Sequence, residues 1–287
     1  MSRMCICLPR DTRRPSTVLG AVLISSLMFA APAVAQFRPS GTALANPAIG
    51  ERYHVEAAAS LWSPEPDLLI SSESLGIPGD AIDLVDDLGV EKKRLSELKF
   101  VLRPAMKHKF RINYLPLKYE AQAQVQREFV FNGLRYRIGL PVNTFADLTT
   151  WRFGYEYDFI YRERGYVGVL FDLKYTDIDV QLDSPIGQAF TQQVAPIPTI
   201  GVTGRGYVAP NVSITGEVSF FKVPEKLGEQ FNGGGRYLDY DFYGTFNFTN
   251  YVGAQLGLKS IDVDYFQDLD AGNLNFTGWY FGAVVRY

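Results

Sequence analysis

Residues 274–287 close the sequence with LNFTGWYFGAVVRY, and from Trp279 onward large apolar side chains alternate with small or polar ones. Successive side chains of a β-strand point to opposite faces, so this period of two predicts a strand with one apolar face. Trp279, Phe281 and Tyr287 lie on that face, which places aromatic residues at both of its ends. Such a strand suits a sheet whose apolar face meets lipid, with aromatic side chains at the two interfaces.

Three residues of this strand resemble a known sorting element. Gly282, Val285 and Tyr287 are similar to the C-terminal insertion signal of bacterial outer-membrane β-barrels, in which hydrophobic residues follow a glycine by three and five positions and the last is aromatic. The resemblance covers one strand and is to the small antiparallel barrel class, without a subfamily. It implies three partners: the barrel assembly machinery, outer-membrane lipid and lipopolysaccharide.

The first 35 residues predict a secretory signal peptide. Four arginines precede an apolar run over 18–31, and Ala33-Val34-Ala35 forms a small-residue cleavage site. We expect cleavage near Ala35, a periplasmic lead-in over 36–50, and a bacterial outer-membrane location for the remainder. Both cysteines lie in the removed segment, so the mature chain has no thiol for a disulfide or a cysteine metal site.

The composition of the mature chain restricts its function. Cleavage removes four basic and one acidic residue, leaving 24 basic and 30 acidic side chains and a net charge of −6. This charge argues against nucleic acid as a partner. We expect neither a cofactor nor a metal site, and a monomer. No apolar run is long enough for a transmembrane helix, and the content of Tyr, Phe and Gly favours a single all-β domain over 51–287.

Alternation along the chain predicts about ten strands of a closed antiparallel barrel, with eight or twelve left open because 118–148 is hard to divide. The predicted strands are 52–62, 96–105, 108–131, 150–161, 166–182, 199–209, 212–222, 236–248, 251–265 and 274–287. A long outer loop at 63–95 contains a possible short helix over 80–88, and a second loop passes through Pro185, Pro196 and Pro198. Asn132-Gly133 is the best candidate for a hairpin turn, since a type I′ turn needs positive φ at both residues.

Short and long connections alternate, as do the short periplasmic turns and long outer loops of outer-membrane barrels. Nearly every strand has one aromatic or aliphatic face and one face with charges. Ten strands enclose too little space for all the aromatic side chains, so we expect the apolar faces to meet lipid and the charged faces to line the lumen.

The charged faces predict a lumen network of both signs. Its members are Glu56, Lys99, Arg103, Arg111, Arg152, Glu156, Asp158, Asp172, Arg205, Glu217, Asp239 and Asp241. Charges in so narrow a space must be paired or hydrated. The network forms either the core that plugs a small barrel, which we favour, or the lining of a narrow channel.

No catalytic residues are predicted. The sequence has two histidines, His54 and His108, both near the expected periplasmic ends of strands, where a general base is far from the outer rim. The leading hypothesis is therefore a non-enzymatic outer-membrane barrel, structural or a narrow small-solute channel. The alternatives are a surface adhesion or ligand-binding barrel that acts through the 63–95 loop, and a lipid- or peptide-modifying enzyme of the outer membrane.

Overall fold

The computed structural model describes residues 48–71, 79–223, 233–267 and 270–287. The predicted signal peptide and most of the lead-in lie outside these residues. The strands are β1 (Val55–Ser71), β2 (Ile82–Asp83), β3 (Leu95–Ala105), β4 (His108–Gln124), β5 (Phe129–Phe131), β6 (Leu134–Tyr136), β7 (Pro141–Arg162), β8 (Gly165–Ser184), β9 (Gly187–Ala209), β10 (Val212–Lys222), β11 (Gly233–Asn247), β12 (Val252–Gln267) and β13 (Asp270–Arg286). No helix in the described part of the chain is long and apolar enough to cross a membrane.

Ten of these strands form one closed antiparallel ring, which confirms the predicted barrel and its strand number. Each long strand pairs with the next along the chain, and β13 returns to pair with β1 from Glu56↔Arg286 to Ser71↔Ala271. The connections 106–107, 163–164, 210–211 and 248–251 are short and lie at the same end as the C-terminus. The long connections 72–94 and 125–140 lie at the other end, as expected for outer loops.

Two predicted loops are in fact strand. β1 runs on to Ser71 through residues assigned to the 63–95 loop, and β9 includes Pro196 and Pro198. The predicted loop after β8 shrinks to residues 185–186. Proline has no N–H for a ladder, so the sequence predicts loops at Pro64, Pro66, Pro196 and Pro198; in the structure, pairing with β13 and with β8 holds both segments extended.

The short helix predicted over 80–88 is wrong. Residues 82–83 form β2, which pairs with β1, and 84–88 form a hydrogen-bonded turn that Gly89 ends with φ of 68°. The predicted Asn132-Gly133 turn is confirmed. Both residues have positive φ, 46° and 77°. They join β5 and β6 in a small hairpin outside the ring, so the predicted third strand over 108–131 is too long: it ends at Gln124, and the turn does not connect two barrel strands.

The two faces of the strands exchange character partway along the barrel. On β8, Phe171, Leu173 and Tyr175 face outward, but Asp177 and Asp179 follow on the same face. This outward apolar section spans nine residues on β8 (167–175) and nine at the C-terminus (279–287, of which the last follows β13), close to the ~9–11 residues with which a strand crosses a bilayer. The half of the barrel nearest the short connections, here called the lower half, is therefore inside-out, whereas in the upper half the exterior of β8 above Tyr175 is polar.

Candidate functional site

The structure places all twelve residues of the predicted lumen network on the inward face. Eleven are buried, and the side chain of Lys99 is 16% exposed. They lie in the lower half of the barrel, at the level of the outward apolar section.

Several ion pairs in this network span the lumen. Glu217 on β10 accepts from Arg111 on β4 at 2.7 Å and from Arg152 on β7 at 2.6 Å. Lys99 on β3 reaches Asp241 on β11 at 2.7 Å. Counted around the ring, Arg111 and Glu217 are four strands apart, as are Lys99 and Asp241. Side chains that meet across so much of a ten-stranded ring fill its interior.

Sequence reasoning missed six further charged residues of this network. Lys109, Lys174, Lys259 and Arg286 add positive charge, and Glu51 and Glu97 add negative charge. The alternation that selects Arg111 also selects Lys109, and the one that selects Lys99 also selects Glu97, so the signal was present. Together the eighteen residues, here called the plug, comprise nine basic and nine acidic side chains.

The added residues complete the pairing at both ends of the plug. Lys259 contacts Glu97 at 2.6 Å, and Lys174 bonds Asp239. Near the end with the short turns, Lys109 lies 2.6 Å from Glu156 and 3.3 Å from the centre of the Tyr166 ring. The plug has equal numbers of opposite charges, and these close pairs offset part of the cost of removing the ions from water.

Above the plug the inward face becomes apolar. On β4 the inward residues change from Lys109 and Arg111 to Leu115 and Leu117, and on β8 they change from Lys174 to residues such as Ile178. The apolar side chains from the upper strands form one buried cluster.

A cavity of about 720 Å³, here called the cup, remains within this upper half. Its apolar walls include Leu148, Ile178, Ile261, Val263 and Phe276, and hydroxyls come from Thr150, Thr176, Tyr237 and Tyr265. The charged residues on its edge, Arg236 and Asp264, are paired with each other at 2.9 Å. The cup therefore offers apolar contact and a few hydrogen-bonding groups.

Residues 79–94 and 125–140, here called the cap, fold over the outer end. Leu84 and Leu88 from the first segment and Phe129 from the second are buried in the upper core. Arg127 joins the two segments by donating to Asp87 at 2.6 and 2.8 Å, and this hydrogen bonding raises the pKa of the Arg127 guanidinium.

The two histidines lie away from the cup. A ring nitrogen of His108 lies 2.6 Å from the Tyr155 hydroxyl, at the end with the short turns, and His54 lies beside the Arg103 carbonyl at that same end. The carboxylate of Asp83 accepts a hydrogen bond from the backbone N–H of Val85 and so stabilises the turn over 84–88.

No model of a protein family matches this sequence, and no curated protein matches it. Solved structures do resemble it. The outer membrane protease OmpT from Escherichia coli aligns with a TM-score of 0.54 and 9% identity over 81% of this chain and 96% of its own.

The chain has the fold of a bacterial outer-membrane β-barrel. At 9% identity the likeness to OmpT shows a shared fold alone, and protease activity is a property of OmpT. Two further barrels align less well. The attachment invasion locus protein Ail of Yersinia pestis has a TM-score of 0.36 and 11% identity over 82% of this chain and 99% of its own. An outer membrane channel from Pseudomonas putida F1 has a TM-score of 0.39 and 9% identity over 86% and 100%.

Proposed function

We propose that this chain is a non-enzymatic outer-membrane barrel that binds a small, uncharged, apolar molecule in the cup. The observation that carries the proposal is the stacking of an apolar cavity on a charge-neutral plug inside one lumen. Ligand pockets of about 300–1,000 Å³ are typical for drug-sized molecules, and the cup is within this range. Its few hydroxyls would orient a ligand, and its apolar walls would supply most of the binding free energy.

The plug favours binding over conduction. Ion pairs that bridge the lumen leave the cup with a closed floor, so a molecule that enters from outside would stop there. The adhesion alternative is less favoured, because Ile82, Leu84, Leu88 and Val90 of the 63–95 segment are buried and do not form an exposed binding surface. The enzyme alternative lacks a histidine near the outer rim among the described residues.

We further propose that the chain reaches the outer membrane after cleavage near Ala35, and that Gly282, Val285 and Tyr287 present the insertion signal to the barrel assembly machinery. Val285 and Tyr287 face outward and are 55% and 85% exposed, which supports contact with a partner during assembly and with lipid and lipopolysaccharide afterwards.

Binding is tested with the neutral fluorescent probe N-phenyl-1-naphthylamine and the purified barrel in lipid nanodiscs. We expect saturable binding that is weakened at least about tenfold by Ile178→Trp and by Val263→Trp, since each fills the cup and removes contact area from the ligand. Leu173→Trp is the matched control, because Leu173 lies on β8 but faces outward. Equal binding by all variants would refute the cup as the site.

A further inference from the structure

Two threonines, Thr150 on β7 and Thr176 on β8, form part of the floor of the cup. They are paired across the β7–β8 ladder, and their hydroxyl oxygens are 3.2 Å apart. On these two strands they are the lowest residues that line the cup, and the next inward residues below them are Arg152 and Lys174 of the plug. The hydroxyl pair therefore lies where the charged interior of the lower half meets the apolar interior of the upper half.

The hydrogen bond between the two threonines leaves one donor unused. A hydroxyl donates one hydrogen bond and accepts up to two. Whichever threonine donates to the other, the hydrogen of the second hydroxyl remains, and among the described residues neither hydroxyl has a further partner. The pair therefore has one O–H group with which to bond a molecule in the cup.

The polar groups directly below this pair bond one another. Lys174 donates to Ser219 at 2.7 Å and to one oxygen of Asp239, and Ser219 donates to the other oxygen of Asp239 at 2.7 Å. The Lys174 ammonium also lies 4.0 Å from the centre of the Tyr237 ring, and the Tyr237 hydroxyl is 3.5 Å from Asp239. These contacts direct the polar groups of Lys174 and Tyr237 toward the plug, so the threonine pair is what the floor presents to a ligand.

Apolar side chains surround the pair on the side of the cup. Leu148 and Ile178 are the next inward residues above it on the same strands, and Leu117, Ile197 and Phe276 also line the cavity. A hydrogen bond in such surroundings is electrostatically stronger than in water, and a donor that is buried under a ligand without a partner weakens the complex. The floor therefore favours a molecule with an acceptor at one end over a hydrocarbon of the same shape.

The charges around the cup favour an uncharged acceptor. The plug has nine basic and nine acidic residues, so it offers no net charge to balance an ion above it. Arg236 and Asp264, the charged residues of the cup lining, are paired with each other at 2.9 Å. A carboxylate or an ammonium group at the floor would be removed from water without a counter-ion of its own, which is strongly unfavourable.

We propose that the ligand of the cup is an otherwise apolar molecule with one uncharged oxygen, a carbonyl or hydroxyl oxygen, that accepts a hydrogen bond from the Thr150–Thr176 pair. The oxygen lies at the floor, and the apolar body extends upward between the walls. This inference rests on the proposed binding function, and it names the chemical class of the ligand and the residues that select it.

The test compares two ligands of nearly the same shape. 2-Acetylnaphthalene has a carbonyl oxygen, and in 2-isopropenylnaphthalene a methylene group replaces that oxygen. Each ligand displaces N-phenyl-1-naphthylamine from the barrel in lipid nanodiscs. The double variant Thr150→Val with Thr176→Val removes both hydroxyls and keeps branched side chains that suit a strand. The matched control is Thr149→Val, which removes the outward hydroxyl next to Thr150, bonded to Asp147 at 2.7 Å.

We expect the ratio of ketone to alkene affinity to fall about tenfold in the double variant, since a neutral hydrogen bond contributes a factor of this order. Partition of the ligands into lipid cancels, because the ratio is compared between proteins. The control should keep the ratio of the unmodified barrel. The same ratio in the double variant and the unmodified barrel, with saturable binding in both, would overturn the threonine pair as the selecting group and leave the cup intact as a site. No saturable binding of the probe or of either ligand to the unmodified barrel would overturn the proposed function as well.

A second measurement needs no variant. The stretching frequency of an isotopically labelled carbonyl in the bound ketone is recorded by infrared difference spectroscopy. We expect it to be lower in the unmodified barrel than in a hydrocarbon solvent, because the carbonyl accepts a hydrogen bond. A frequency equal to that in hydrocarbon would overturn the proposed hydrogen bond.

Discussion

Replacing Glu217 with alanine should destabilise the barrel through its plug. The carboxylate of Glu217 is buried at 4% exposure and bonds the guanidinium groups of Arg111 and Arg152. The substitution leaves both arginines in the lumen with one carboxylate fewer, and it changes the plug from nine acidic residues to eight.

The size of the loss follows from these contacts. A hydrogen bond to a charged group contributes about 1.5–3 kcal/mol, so two give about 3–6 kcal/mol. Removing one partner of a buried ion pair costs about 3–5 kcal/mol. Arg111 keeps Glu156 at 3.1 Å and Arg152 keeps Asp172 at 2.6 Å, which limits the cost. We therefore expect a loss of about 3 kcal/mol in the free energy of unfolding.

The loss is measured by reversible urea unfolding in lipid vesicles, followed by tryptophan fluorescence. The matched control is Asp264→Ala, which removes a carboxylate from the exposed pair with Arg236, where the side chains are 37% and 47% exposed. Exposed pairs contribute about 0–1 kcal/mol, so the control should differ little from the unmodified chain. A loss for Glu217→Ala no larger than that of the control would refute the ion-paired plug that bridges the lumen.

Three further outcomes are expected. The unmodified barrel should show no steady ion conductance in planar bilayers. Combined alanine substitutions at Arg111, Arg152 and Glu217 should open the lumen and produce measurable conductance steps. Large conductance steps in the unmodified protein would contradict a closed floor. Arg127→Ala should loosen the cap, giving faster limited proteolysis within 79–140 while the gel shift between unheated and boiled barrel persists; loss of that shift would show that the cap holds the barrel itself together. Tyr287→Ala should lower the amount of barrel in the outer membrane while the stability of the refolded protein changes by less than ~0.5 kcal/mol, because the side chain is 85% exposed and the backbone hydrogen bonds between residue 287 and Val55 are kept; an unchanged amount would argue against the insertion signal.

Strand prediction succeeded where alternation was uninterrupted. β10 was predicted at its observed bounds of 212–222, and the gaps between predicted strands at 162–165 and 210–211 contain the observed turns. Strand prediction failed where the alternation of apolar and polar side chains between the two faces inverts. β1 beyond Trp62 and β9 before Thr199 have prolines, and their faces no longer match the apolar-out alternation of the membrane section. Both segments were therefore assigned to loops, although they extend the barrel above the bilayer.

The sequence by itself indicated the closed barrel, ten as the best strand count, the inward side of every predicted lumen charge and the turn at Asn132-Gly133. These depend on local rules: a period of two, turn residues with positive φ, and the cost of placing charge against lipid. Only the tertiary structure decided which charges meet, since Glu217 finds its arginines through the curvature of the closed sheet. It also decided that an apolar cavity remains above the plug, because an unfilled volume depends on how distant strands and the cap pack together.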